Sequence, residues 1–143
     1  MEHVIAIVGL VLTGPLVGVE LGVAAFTNPL VSKLPDEAYL LFRSAGSRLL
    51  GALMPFWYIG TLVVLIAGAV LTRDVLAISA VALMGVAVLL SVTVLVPINN
   101  RTAAWRSTDD VDRDLAGRWD RLHWVRVGLL AAMFIALVAG VVG

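Results

Sequence analysis

No cysteine occurs among the 143 residues. Its absence excludes a disulfide framework, thiol–disulfide exchange and any thiolate-held zinc or iron–sulfur centre, and it leaves the redox compartment unread. Charge is also scarce. Asp, Glu, Lys and Arg make up 14% of the chain where an ordinary soluble domain has about 25%, while 61% is hydrophobic against about 45–50%. Ten cations cancel ten anions, so net charge gives no reason to expect nucleic acid as a partner. The two histidines, His3 and His123, fall on opposite sides of a membrane by the span assignment below. Roughly 30 Å of hydrocarbon would separate them, which excludes bis-histidine haem. A His-Glu-x-x-His or Glu-x-x-His pair, a glycine-rich phosphate loop and a Gly-x-Ser-x-Gly elbow are likewise missing.

Long apolar runs are what remains. A bilayer-crossing helix needs about 20 mostly apolar residues, and four stretches qualify: 4–27, 49–71, 75–98 and 119–142. They predict an all-α fold, an integral membrane four-helix bundle, as a single domain over 1–143. Met1-Glu2-His3 carries no positive charge, and the apolar run after it exceeds the core of a signal peptide, about 7–15 residues, so the first span is expected to be retained. Thr72-Arg73-Asp74 is nearly all that joins spans two and three, which makes them an antiparallel hairpin. Each of the two long connections is expected to hold a short interfacial helix. One starts at Asp36-Glu37 after Pro35, the other after Ser107-Thr108-Asp109-Asp110.

Charge position sets the orientation. Connections one and three carry nine of the ten Lys and Arg residues, whereas the side holding both termini has only Arg73. The excess predicts cytoplasmic connections and outward-facing termini. Nine arginines to one lysine suit a GC-rich bacterial coding sequence, hence a multi-pass protein of a bacterial inner membrane.

Glu20 is the residue that lipid cannot accommodate. A charged group inside a span costs about 2.5–3.5 kcal/mol on insertion scales and normally faces a bundle interior with a partner. The structural reading is an ion pair or a protonated carboxyl; the functional one is a site. Thr13, Glu20 and Thr27 share one face of the first span. Gly14, Gly18 and Gly22 lie nearly opposite, where a homo-oligomer could pack. On the fourth span Trp119, His123 and Arg126 project together at i, i+4 and i+7, and Asp120 lies within reach of His123. Asn28-Pro29 and Pro97-Ile98-Asn99-Asn100 are read as helix stops, with Pro55 interrupting span two. A cavity is expected among these prolines. A metal held by Glu20, Asp120 and His123 is the alternative use of the same cluster, although one histidine with two carboxylates is not a specific signature.

Taken together, the Glu20 helix ending in Thr27-Asn28-Pro29-Leu30, Met54-Pro55, Val96-Pro97-Ile98-Asn99-Asn100 and the run from Trp119 to Arg126 resemble the anthrone oxygenase-like family of small four-helix membrane proteins. The resemblance implies Glu20, Asn28, Pro97, Asn99, Trp119, His123 and Arg126 as the site, with Asn100 beside Asn99. It also implies oxygenation of an apolar, anthrone-like small molecule by molecular oxygen, with the lipid bilayer as surroundings. On this reading no cofactor is needed. His123 acts as base, Arg126 and Asn99 stabilise an enolate, Glu20 orients His123 or relays its proton, and Trp119 stacks on the substrate. Two other classes stay open: a small proton-coupled transporter using Glu20, and a non-catalytic membrane helper subunit.

Overall fold

A computed structural model describes all residues, Met1–Gly143. Four helices long and apolar enough to cross a membrane make up nearly the whole chain: α1 (Glu2–Val31), α2 (Asp36–Thr72), α3 (Val75–Ala103) and α4 (Arg113–Val142). Each packs on two others to form a ring, α1 on α2, α2 on α3, α3 on α4 and α4 on α1. Leu16, Leu65, Met84, Leu130 and Met133 fill the centre. Only 27 of 143 residues are buried, and the exterior carries large apolar side chains such as Val11, Phe26, Leu53, Phe56 and Val63. An exterior of that kind suits lipid and not water.

The helices run past their predicted ends. The two expected helix stops are overturned: α1 continues through Asn28-Pro29 and α3 through Pro97. In each case a π-turn precedes the proline, Val23–Thr27 in α1 and Ser91–Leu95 in α3. The N–H groups of Asn28 and Val96 bond carbonyls five residues back, Val23 O and Ser91 O. That extra residue makes room for the pyrrolidine ring, which would otherwise clash with the turn before it. Pro55 does not interrupt α2 either.

The separate interfacial helices are not found. Asp36 and Glu37 open α2 itself, after an extended Pro35, so the first connection is only a short turn from Ser32. In the third connection the start signal at Ser107 builds one 3-10 turn, Thr108–Asp110. There Asp110 Oδ2 accepts the N–H groups of Arg106 and Ser107 at 2.8 and 3.0 Å. Asp112 then caps α4, accepting Leu115 N–H at 2.9 Å. The hairpin between α2 and α3 turns on Arg73, held at φ 52°, after which Asp74 caps α3 through Leu76 and Ala77. Inside the chain the glycine stripe is largely unused. A Cβ on Gly14 would meet Phe134 at 3.7 Å, and nothing lies within 4 Å of Gly18 or Gly22.

Candidate active site

Because α1 reaches Val31, Glu20 lies eleven residues from the helix end, roughly 16 Å at about 1.5 Å per residue. It is thus deeper than the predicted span implied, and only 2% exposed. Two helices reach it directly and a third through Arg126. From α4, Arg126 Nη2 donates to Glu20 Oε2 at 2.9 Å. From α2, the Tyr58 hydroxyl donates to Glu20 Oε1 at 2.7 Å. From α3, Ser91 Oγ accepts Arg126 Nη1 at 3.1 Å. A carboxylate held by a guanidinium and a phenol is the satisfied form in which a buried charge persists.

His123 is fully buried, and both ring nitrogens are engaged. Nε2 lies 3.0 Å from the backbone carbonyl of Glu20. A carbonyl only accepts, so Nε2 carries the proton. In the neutral ring Nδ1 is then an acceptor, and Arg126 Nη2 stands 3.0 Å from it. Glu20 Oε2 lies 3.2 Å from the same Nδ1, and the two acceptors share the guanidinium. The Glu20 carbonyl takes this bond in addition to the Val23 N–H, at the edge of the π-turn that begins at Val23, and the second π-turn begins at Ser91. Both irregular turns therefore adjoin residues of the cluster, a common placement for π-bulges.

The cluster forms the polar end of a cavity of about 160 Å³. Its other walls are apolar, with Val23, Met54, Val88 and Leu95 among them. Pro55 and Ile59 of α2 and Val92 and Val96 of α3 line it and are also exposed on the bundle exterior. The cavity thus opens sideways between these helices, toward lipid. Asn99 lines it as well, its Nδ2 donating to Ser47 O at 2.9 Å across the α2–α3 contact. Gly51 permits that crossing, since a Cβ there would stand 2.9 Å from Asn99 Nδ2.

Among the sequence-predicted residues, the structure gathers Glu20, His123, Arg126, Trp119 and Asn99 around one cavity. Trp119 stacks on His123, with ring centroids 4.7 Å apart, so the imidazole covers a face that was expected to meet substrate. Asn28 and Asn100 are not brought in. Asn28 is buried outside the cavity, with Oδ1 accepting from Arg43, and Asn100 is exposed. The alternative metal set is not assembled. Asp120 turns away from His123 to pair with Arg43 at 2.8 Å, and no group of three His, Asp or Glu side chains is placed to hold a metal ion.

Sequence reasoning misses the place of Tyr58, Ser91 and Arg43 in or beside the cluster. A tyrosine in mid-span was the available signal for the first, since a buried phenol needs a partner. Ser91 gives little signal, because a serine in a membrane helix usually bonds its own backbone, as this one also does to Ala87 O at 2.8 Å. In the sequence Arg43 stands out only as one of the nine cations that set the orientation. Its guanidinium bonds Asn28 Oδ1, Ala116 O and Asp120 Oδ1, pinning α1 and α4 to α2 just below the site.

The fold and cluster define a multi-pass membrane bundle whose interior holds a hydrogen-bonded carboxylate, guanidinium and imidazole beside an apolar cavity. The chain belongs to the anthrone oxygenase family, whose description matches residues 22–136. That match begins two residues after Glu20, so the carboxylate's place in the site rests on geometry. No curated protein and no solved structure matches the chain.

Proposed function

We propose that the protein is a membrane-embedded oxygenase that converts the CH₂ of a flat, apolar, anthrone-like ketone to a second carbonyl, using molecular oxygen and no resident cofactor. The observation that carries this reading is the buried Glu20–Arg126 pair lining an apolar cavity whose walls include side chains exposed on the bundle exterior. A cavity near 150 Å³ is known to hold benzene, so the one here, about 160 Å³, takes a single ring. The rest of a larger substrate lies in the lateral opening between α2 and α3.

The reaction is R₂CH₂ + O₂ → R₂C=O + H₂O. Loss of a C–H proton leaves an enolate, electron-rich enough to reduce oxygen directly. Its carbon then forms a bond to O₂, a proton returns to give the hydroperoxide, and loss of water leaves the carbonyl. The protein's part is to take the first proton, hold the enolate charge and exclude water. His123 does not fit the role of base expected for it, because Nε2 is protonated and Nδ1 faces a guanidinium. Glu20 fits it better. When Glu20 takes a proton, Arg126 loses the negative charge that neutralised it and is left to hold the enolate, so the site's net charge never changes. His123 keeps Glu20 in place through its backbone carbonyl, and Trp119 backs His123.

The protein is proposed to lie in a bacterial cell membrane with connections one and three cytoplasmic. The test is oxygen uptake by the purified protein in lipid nanodiscs supplied with anthrone. Uptake that wild type supports and Glu20→Gln lacks is the expected result. Equal rates with and without protein would contradict the proposal.

A further inference from the structure

The geometry points to Tyr58 as the residue that touches the substrate and takes its proton, passing its own to Glu20; this rests on the oxygenase reading above. Both oxygens of Glu20 are covered, Oε1 by the Tyr58 hydroxyl at 2.7 Å and Oε2 by Arg126 at 2.9 Å, with His123 Nδ1 at 3.2 Å. Each carboxylate oxygen is thus already engaged by a donor, and a C–H that met Glu20 directly would have to reach a remaining lone pair past Tyr58 or Arg126. Tyr58 lies on the turn of α2 that also carries Pro55 and Ile59, the residues lining the lateral opening. A ring arriving from lipid between α2 and α3 passes along that turn before it reaches α1.

A phenol oxygen that donates one hydrogen bond keeps lone pairs with which to accept. In the step proposed, the substrate C–H bond breaks and an O–H bond forms at Tyr58 Oη. The original Tyr58 O–H bond breaks at the same time, and its proton moves to Glu20 Oε1. The electron pair stays on the substrate as the enolate. Tyr58 ends with one proton, as it began, and Glu20 gains one. Arg126 is close enough to the tyrosine to stabilise charge passing through it, with Cζ 5.4 Å from the ring centroid. The relay runs backward when the hydroperoxide takes its proton, so both residues return to their starting state.

Proton transfer can be measured without oxygen. Full-length protein in nanodiscs is incubated anaerobically with anthrone in D₂O, and deuterium uptake at the CH₂ is followed by mass spectrometry. Wild type is expected to accelerate uptake over empty nanodiscs. Tyr58→Phe, which keeps the ring, is expected to lose about 10²-fold or more of that acceleration, with anthrone binding, read from tryptophan quenching, little changed. Fluorotyrosine incorporated at position 58 keeps the hydroxyl and guards against a misfolded Phe variant. Its more acidic phenol should shift the pH profile of exchange. Wild-type exchange in Tyr58→Phe, or an unshifted profile with fluorotyrosine, overturns the relay, as does a wild type that accelerates nothing. Exchange that depends on Tyr58 without oxygen uptake in air supports the relay and overturns only the oxygenase reading.

Discussion

Arg126 and Glu20 are each other's only nearby opposite charge, and this makes single substitutions costly. Removing one member of a buried pair leaves the other charge uncompensated, typically at about 3–5 kcal/mol. Arg126→Met should therefore destabilise the bundle by that order in denaturant unfolding. The double variant with Glu20→Gln should recover part of the loss, because the stranded carboxylate is gone. His123 is expected to behave differently from Glu20. His123→Gln can keep a donor for the Glu20 carbonyl, so it should retain activity within about tenfold of wild type, whereas Glu20→Gln loses the roughly 10²–10⁴-fold that a positioned base contributes. Steady-state rates of the two variants side by side check the assignment. The identities of Glu20, His123 and Arg126 were legible in the sequence because charge inside a span is costly and helical spacing puts His123 and Arg126 on one face. The hydrogen-bond direction at His123 was not legible. It depends on a backbone carbonyl of another helix, which no spacing rule reaches.

The helices themselves were legible from apolar length, but their ends were not. Proline suggests a stop at Asn28-Pro29 and Pro97, and the π-turns that carry both helices onward have no signature in composition or period. That error also hid the depth of Glu20. Two elements at the end of the bundle opposite the chain termini lend themselves to measurement. Gly51→Ala gains about 0.8–1 kcal/mol of helix propensity and loses the Asn99–Ser47 hydrogen bond, worth about 0.5–1.5 kcal/mol. Stability should change little, while a Cβ 2.9 Å from Asn99 Nδ2 displaces that side chain and raises KM. The turn at Ser107 is the second. Backbone N–H groups of Arg106 and Ser107 hold the Asp110 carboxyl below its ordinary 3.8. A depressed carboxyl stabilises the fold above its unfolded value and ceases to do so as pH falls through the folded one. The protection of the Arg106 and Ser107 amides, measured against their intrinsic exchange at each pH, should accordingly hold at pH 5 and fall only below the ordinary carboxylate range. Asp110→Ala, which has no side-chain acceptor, should remove the protection already at pH 5.

At the scale of the whole molecule, the cation count across the membrane predicts both termini outside. A reporter fused after Gly143 should give the periplasmic signal, and a cytoplasmic one would invert the orientation. On the proposed reaction, the lateral opening between α2 and α3 gives the bundle a reason to be in lipid, since an apolar ketone dissolved there would reach the site without crossing water. This opening was not predictable from single helices, because it arises where exposed Pro55, Ile59, Val92 and Val96 meet across two of them. Oxygen consumption by purified protein in nanodiscs, with anthrone as substrate and metal removed by a chelator, tests the central claim most directly. Wild type is predicted to consume one O₂ for each carbonyl formed and Glu20→Gln to consume it no faster than empty nanodiscs; uptake that continues undiminished in Glu20→Gln would contradict the account.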